Sequence, residues 1–159
     1  MNQKSLANWL KCILAVAGLC ALAACAALLP LEGQRLCAQY PEFSSWFLPW
    51  LIFLWLSSLP CFAVLVLGWK IASNIGADRS FSHDNARLLR WISALAAGDA
   101  VFFFAGNVLL FLLGMSHPSV AIASLAVVFV GVAVAVGSAL LSHLVKKAAA
   151  LQEQSDLTI

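Results

Sequence analysis

Charge is what this sequence has least of. Only 10% of its 159 residues are charged and 63% are hydrophobic, whereas a typical soluble domain has roughly 25% charged residues. A water-soluble globule is therefore excluded, and so is a disordered chain, because disorder requires low hydrophobicity. Nine basic and seven acidic residues give a net charge of +2, too small for a surface that binds nucleic acid directly. The class that remains is a polytopic membrane protein.

The sequence also lacks the residue patterns of catalytic and metal centres. It contains no Gly-rich phosphate loop, nucleophile elbow or zinc-protease helix. Its three histidines, His83, His117 and His143, are far apart, and four of its five cysteines lie in apolar runs with no zinc-ligand spacing. Only Cys37 lies in a polar connection, where it could pair with a second copy in a homodimer. We predict no enzyme activity, no cofactor and no metal site.

Four apolar runs are each long enough to cross about 30 Å of hydrocarbon, which takes roughly 20 helical residues. Trp46, Trp50 and Trp69 flank the second run, as expected of rings that prefer the membrane interface. A turn of about five residues makes the third and fourth runs antiparallel neighbours. No repeat or linker divides the chain, so we predict one all-α domain, residues 1–159, with four transmembrane helices. The predicted spans are residues 12–31, 47–69, 91–114 and 120–145.

The first run has an alternative interpretation. Leu22-Ala23-Ala24-Cys25 follows two lysines and a short apolar stretch, a pattern typical of a lipoprotein cleavage box. A secreted protein would turn polar after the box, but residues 26–31 stay apolar. We therefore expect an uncleaved span, with cleavage as the alternative.

The basic residues predict the orientation of the chain. Eight of the nine fall on one side of the predicted membrane, and only Arg35 falls on the other. Because Lys and Arg accumulate in cytoplasmic connections, both termini are expected inside the cell. The eight are Lys4, Lys11, Lys70, Arg79, Arg87, Arg90, Lys146 and Lys147.

Asp99 is the most unusual residue of the predicted spans. It lies eight residues beyond Trp91, hence about 12 Å along the helix. A carboxylate at that depth costs several kcal/mol unless it is protonated or paired, which makes it a functional candidate. On a helical wheel Gly106 shares its face, whereas Asn107 is about 80° away.

The fourth span carries a stripe of small residues that would allow a neighbouring helix to approach closely. Ser124, Gly131 and Ser138 recur every seven residues, with Ala135 and Ser142 at one-turn offsets. Ser138 is expected at the depth of Asp99, so the predicted partner of the carboxyl group is Ser138 or Asn107. The polar set Asp99, Asn107, Ser138 and Ser142 either fastens the helices together or titrates and binds a ligand.

Two short motifs outside the spans carry a family resemblance. Phe81-Ser82 is followed by Asn85 and Leu88-Leu89-Arg90, with Ser82 placed to cap a helix, and the chain ends in Asp156-Leu157-Thr158-Ile159. With four apolar spans, these motifs resemble the bacterial membrane-protein family called domain of unknown function 2975. The resemblance implies a location in the bacterial cytoplasmic membrane. Its members are often encoded beside small helix-turn-helix transcription regulators, which implies a membrane partner of such a regulator.

We therefore expect a non-enzymatic protein of the lipid bilayer that docks a cytoplasmic partner. The rival hypothesis is a small proton-coupled transporter that uses Asp99 and completes its pathway in a homodimer. The predicted docking residues are Phe81, Ser82, Asn85, Arg87, Arg90, Asp156, Leu157, Thr158 and Ile159.

Overall fold

The computed structural model describes residues 3–156 as a set of long helices. Four of its helical segments are long and apolar enough to cross a membrane, which confirms the predicted all-α, four-span architecture. In chain order the elements are α1 (Gln3–Ala23), a π-helical turn (Ala24–Leu28), α2 (Leu29–Gln39), a 3₁₀ helix (Pro41–Trp46), α3 (Phe47–Gly76), α4 (His83–Leu112) and α5 (Pro118–Asp156).

The first span is longer than the sequence predicts. The predicted span ends at residue 31, but the helix runs through Pro30 and ends only at Gln39. A π turn precedes the proline, and within it the Leu29 amide donates to the Ala24 carbonyl. Proline has no N–H and clashes with an α-helical turn before it, so the wider turn lets the helix continue.

The helices are also longer than the hydrocarbon they would cross. At 1.5 Å per residue, α3 and α4, with 30 residues each, reach about 45 Å, against about 30 Å of hydrocarbon. Their ends therefore project beyond it. We call the end that carries the turn 77–82, the start of α1 and the end of α5 the terminal end, and the opposite one the far end.

Helices α4 and α5 form the tightest pair, an antiparallel hairpin closed by the turn 113–117. Small residues bring their backbones together, since a Cβ added at Gly131 would lie 3.2 Å from the Ala100 Cβ. The Ser93 hydroxyl reaches across and donates to the Ala135 carbonyl at 2.7 Å. The predicted hairpin and the close approach at the small-residue stripe are thus confirmed.

Most large apolar side chains face outward, and six of the eight buried apolar residues in the described chain are alanines. Leu112 and Phe129 are 76% and 73% exposed, whereas Ala72 and Ala149 are 0% and 3% exposed. The only side chain larger than alanine below 2% exposure in the described chain is that of Asn85. Lipid tails are as apolar as leucine, so helices in a bilayer gain little by burying large apolar groups and associate through small ones. The exposed large side chains and buried small ones are therefore the arrangement expected in a lipid bilayer.

Candidate functional site

An intramembrane polar cluster joins the middle of α4 to the middle of α3. The carboxyl group of Asp99 accepts a hydrogen bond from the Ser57 hydroxyl at 2.8 Å through one oxygen. The Cys61 thiol lies 3.9 Å from the other oxygen, within reach of a weak sulfur hydrogen bond. Ser57 is buried and Asp99 is half-buried. The cluster therefore connects two spans and leaves part of the carboxyl group accessible.

The expected partners of Asp99 are wrong. The Asn107 amide is buried, but it donates to the Phe103 carbonyl one turn earlier in its own helix, at 2.8 Å. Ser138 lies half-buried on α5 and is not bonded to Asp99. The predicted four-residue set is therefore not one cluster.

The face of α4 explains this difference. Asp99 and Gly106 share a face, as predicted, and a side chain at Gly106 would overlap the ring of Phe53 in α3. That face packs against α3, whereas α5 packs against the face that carries Ala100. The helical wheel gave the correct neighbours within α4 and the wrong opposing helix.

Ser57 and Cys61 were missed because neither stands out in an apolar run. A simple signal could have found them: positions equally far before and after the turn 77–82 lie at the same depth, and residue 60 is the counterpart of Asp99. Pro60 at that point removes one backbone donor from the helix. The Cys61 thiol lies 3.8 Å from the Ser57 carbonyl, one turn earlier. The polar cluster thus lies beside Pro60, where the backbone of α3 has one donor fewer.

A second polar contact depends on the π turn of the first span. The indole N–H of Trp55 donates to the Cys25 carbonyl at 3.1 Å. Cys25 lies in the π turn, where the shifted hydrogen-bond pattern leaves carbonyl groups available. This bond fastens the first span to the second and was not predicted.

Ser142, the fourth member of the predicted set, lies near the terminal end. Its hydroxyl donates to the Ala86 carbonyl of α4 at 2.6 Å. It therefore contributes to the α4–α5 hairpin rather than to the environment of Asp99.

The turn at the terminal end is held by one buried side chain. The Asn85 amide donates to the Arg79 and Ser80 carbonyls, both at 3.0 Å, and its oxygen accepts from the Asn74 amide at 2.7 Å. The Ser82 hydroxyl caps α4 by accepting from the Asn85 backbone amide at 3.2 Å, as predicted. Every polar atom of the Asn85 side chain is used, so the turn has one defined shape.

A groove of about 890 Å³ opens beside this turn. It is bounded by the start of α1, the turn and the end of α5, through residues that include Leu6, Ile75, Phe81, Ala149 and Glu153. The His83 ring and the Glu153 carboxylate are 3.3 Å apart, so α5 contacts the start of α4 across the groove. Three parts of the chain that are distant in sequence therefore form one surface.

Comparison with known proteins identifies the family. The model of a family described as "Protein of unknown function (DUF2975)" matches residues 31–159. The chain belongs to the DUF2975 family. A relative described as the uncharacterized membrane protein YoaS of Bacillus subtilis (strain 168) is 27% identical over 163 aligned positions, which cover all of both chains. No solved structure matches.

The structure separates the roles of the first motif that carried the resemblance to DUF2975. Phe81 is 58% exposed beside the groove, whereas Asn85 is 1% exposed and occupied within the turn. The prediction that Asn85 faces a partner is therefore wrong. Arg87 and Arg90 are exposed on α4, and Ser82 is half-buried at the cap.

The second DUF2975 motif falls at the end of the chain. Helix α5 continues through Asp156, the first residue of this motif. The side chain of Asp156 and the predicted docking residues Leu157, Thr158 and Ile159 lie outside the described residues.

Proposed function

We propose that this DUF2975 protein is a non-enzymatic membrane protein that docks a cytoplasmic partner at its terminal end. The observation that carries the proposal is the groove formed by α1, the turn and α5. Because Asn85 fixes the turn, Phe81 is presented in one position and binding requires little ordering of the loop. The groove combines apolar groups with charged ones such as Arg79 and Glu153, which suits the surface of a folded protein.

The proposed partner is a small helix-turn-helix transcription regulator, as the family resemblance implies. The membrane protein would hold the regulator at the bacterial cytoplasmic membrane without contacting nucleic acid itself. This proposal requires both termini to be cytoplasmic, in agreement with the excess of Lys and Arg at the terminal end.

Reporter fusions test the orientation. Alkaline phosphatase is active only outside the cytoplasm, so fusions after Arg35 or Met115 should be active. Fusions after Ala77 or Ile159 should be silent, with a cytoplasmic reporter giving the reverse pattern as the control. An active phosphatase fusion at Ile159 would contradict the orientation and the docking proposal with it.

Binding in lipid nanodiscs tests the docking. The probe is the purified helix-turn-helix regulator encoded beside the gene, added to the full-length protein. Phe81→Ala should weaken binding about tenfold or more, the effect expected of a central aromatic contact. The matched control is Phe129→Ala, which removes another exposed ring, from α5, and should leave binding unchanged.

A truncation provides a second measurement. Deleting residues 152–159 removes the Glu153 contact with His83 but keeps the buried Ala149. The shortened protein should insert and fold normally, because the deleted segment is terminal and largely polar. It should no longer bind the regulator. Failure of the wild-type protein to bind the regulator, or equal binding by both phenylalanine variants, would contradict the proposal.

The Asp99 cluster favours a second candidate, a small proton-coupled transporter. The carboxyl group is half-buried in the middle of α4, and an added Cβ at the adjacent Gly98 would meet no atom within 4 Å. A second copy of the chain would cover that open region and complete the pathway. In proteoliposomes that enclose a pH-sensitive dye, wild-type protein should carry protons and Asp99→Asn should not. Ser57→Ala, which keeps the carboxyl group, is the control that should still carry them.

A further inference from the structure

A pocket of about 450 Å³ between α4 and α5, at the terminal end, is lined chiefly by basic side chains. Five of its eight lining residues are basic: His83, Arg87, Arg90, His143 and Lys146. We call these five residues and the space between them the basic pocket. It is separate from the polar cluster at Asp99 and lies on another side of α4 from the turn's Asn85.

The basic pocket lies at the level expected for lipid headgroups. Arg90 is directly followed by Trp91, which is 53% exposed, and Trp69 at the same end of α3 is 45% exposed. Tryptophan is enriched at the boundary between hydrocarbon and headgroups, and these two lie at the same end of α3 and α4. The cationic groups next to that boundary are therefore placed beside phosphate groups, whichever side of the membrane they face.

Three cations of the pocket, Arg87, Arg90 and Lys146, have no counterion among the side chains that the structure describes. Those side chains form the ion pair Arg35–Glu32 and the histidine–carboxylate contact His83–Glu153, and the three cations take part in neither. No carboxylate lines the pocket. Like charges that line one pocket repel each other, and a bound anion would relieve that repulsion. The positive end of the α4 dipole adds to the same field.

The pocket is also held in shape. The Ser142 hydroxyl donates to the Ala86 carbonyl at 2.6 Å, and both residues line the pocket. Ala86 is only 5% exposed, so the backbones of α4 and α5 are close together beneath the charges. The backbone that carries the basic side chains is therefore fixed at this point.

We propose that the basic pocket binds the phosphodiester headgroup of an anionic phospholipid. The planar guanidinium groups of Arg87 and Arg90 match phosphate oxygens in pairs, and Lys146 adds a point charge. Next to the pocket, Leu140 and Leu144 on α5 are 62% and 61% exposed, an apolar surface along which acyl chains would lie. Free phosphate has no apolar group that could contact that surface, which favours a lipid as the source of the phosphate. This inference goes beyond the proposed docking and does not depend on it.

Lipid binding to the detergent-purified, full-length protein tests the proposal. The probes are cardiolipin, phosphatidylglycerol, phosphatidylcholine and inorganic phosphate, and the readouts are native mass spectrometry of retained lipid and the thermal unfolding midpoint. Each basic residue near an anionic lipid contributes about 1 kcal/mol, or about fivefold in affinity. The double variant Arg87→Gln with Arg90→Gln should therefore bind the anionic lipids about thirtyfold more weakly.

The controls separate a defined site from general attraction. Lys4→Gln with Arg79→Gln removes two charges from the same end without touching the pocket, and it should keep the lipid. Arg87→Lys keeps the charge and loses the paired geometry, so it should show an intermediate loss. Circular dichroism verifies that each variant is folded.

The proposal is supported if anionic lipids bind, phosphatidylcholine does not, and only the pocket variants lose binding. Equal loss in both double variants would overturn it, since the attraction would then be diffuse. Stabilisation by inorganic phosphate as strong as that by the lipids would overturn the lipid assignment. Absence of retained anionic lipid on the wild-type protein would overturn it as well.

Discussion

The bond between Asp99 and Ser57 gives a quantitative prediction. Replacing Asp99 by Leu removes the acceptor of a 2.8 Å hydrogen bond from a buried hydroxyl. Hydrogen bonds between membrane helices average about 0.6 kcal/mol and reach about 1.7 kcal/mol. The Ser57 hydroxyl can turn to a carbonyl of its own helix, which limits the loss. We expect Asp99→Leu to lower the free energy of unfolding by about 1 kcal/mol, and Asp99→Asn, which keeps an acceptor oxygen, to leave it nearly unchanged.

A double-mutant cycle isolates this bond from other effects of the substitution. Ser57→Ala, Asp99→Leu and the double variant are unfolded by SDS in mixed micelles and followed by circular dichroism. The coupling free energy should lie between about 0.6 and 1.7 kcal/mol. The matched control is the cycle of Asp99→Leu with Ser138→Ala, in which the two side chains are not bonded and the effects should add within about 0.5 kcal/mol.

The outcome of the two cycles decides between the structure and the sequence expectation. Coupling to Ser138 as large as the coupling to Ser57 would refute the assignment of Asp99 to the face toward α3. Additivity in both cycles would show that the carboxyl group fastens nothing.

Two further predictions concern close packing and the terminal-end turn. Gly106→Ala should destabilise the protein by about 1–3 kcal/mol, because its Cβ would overlap the ring of Phe53. Gly98→Ala in the same helix meets no atom within 4 Å and should be neutral or stabilising; similar losses at both glycines would contradict the packing. Asn85→Ala removes three side-chain hydrogen bonds and should cost about 3 kcal/mol at about 1 kcal/mol each. Asn107→Ala, which removes one bond, should cost about 1 kcal/mol. Equal unfolding midpoints for the two variants would contradict the role of Asn85 in fixing the turn.

The sequence was sufficient for the spans because a bilayer imposes one simple requirement, an apolar helix of about 20 residues. It was also sufficient for the Ser82 cap and for the small-residue stripe around Gly131, since both are local patterns. It failed at Pro30, where a residue that usually ends a helix is accommodated by a π turn. The composition of a helix indicates whether lipid or water surrounds it. It does not indicate an irregular turn within the helix.

The candidate site was less predictable because it depends on which helices are neighbours. Rotation by 100° per residue placed Asp99 and Gly106 on one face, and no local rule says whether that face meets α3 or α5. Asn85 shows a related limit. An asparagine in a short polar turn can face solvent or bind the carbonyls of the turn, and only the folded chain shows that it binds the carbonyls of Arg79 and Ser80.

The small interior of this protein reverses the usual direction of mutational damage. In a soluble domain, trimming a large buried side chain opens a cavity and is the common route to instability. Here the large side chains, such as Leu112 and Phe129, face outward, and the helix contacts depend on residues such as Ala100 and Gly131. Replacement of outward leucines by alanine should be widely tolerated during evolution, while the addition of a single methyl group at a contact position should be purged. The residues that constrain how this sequence can change are therefore its smallest ones.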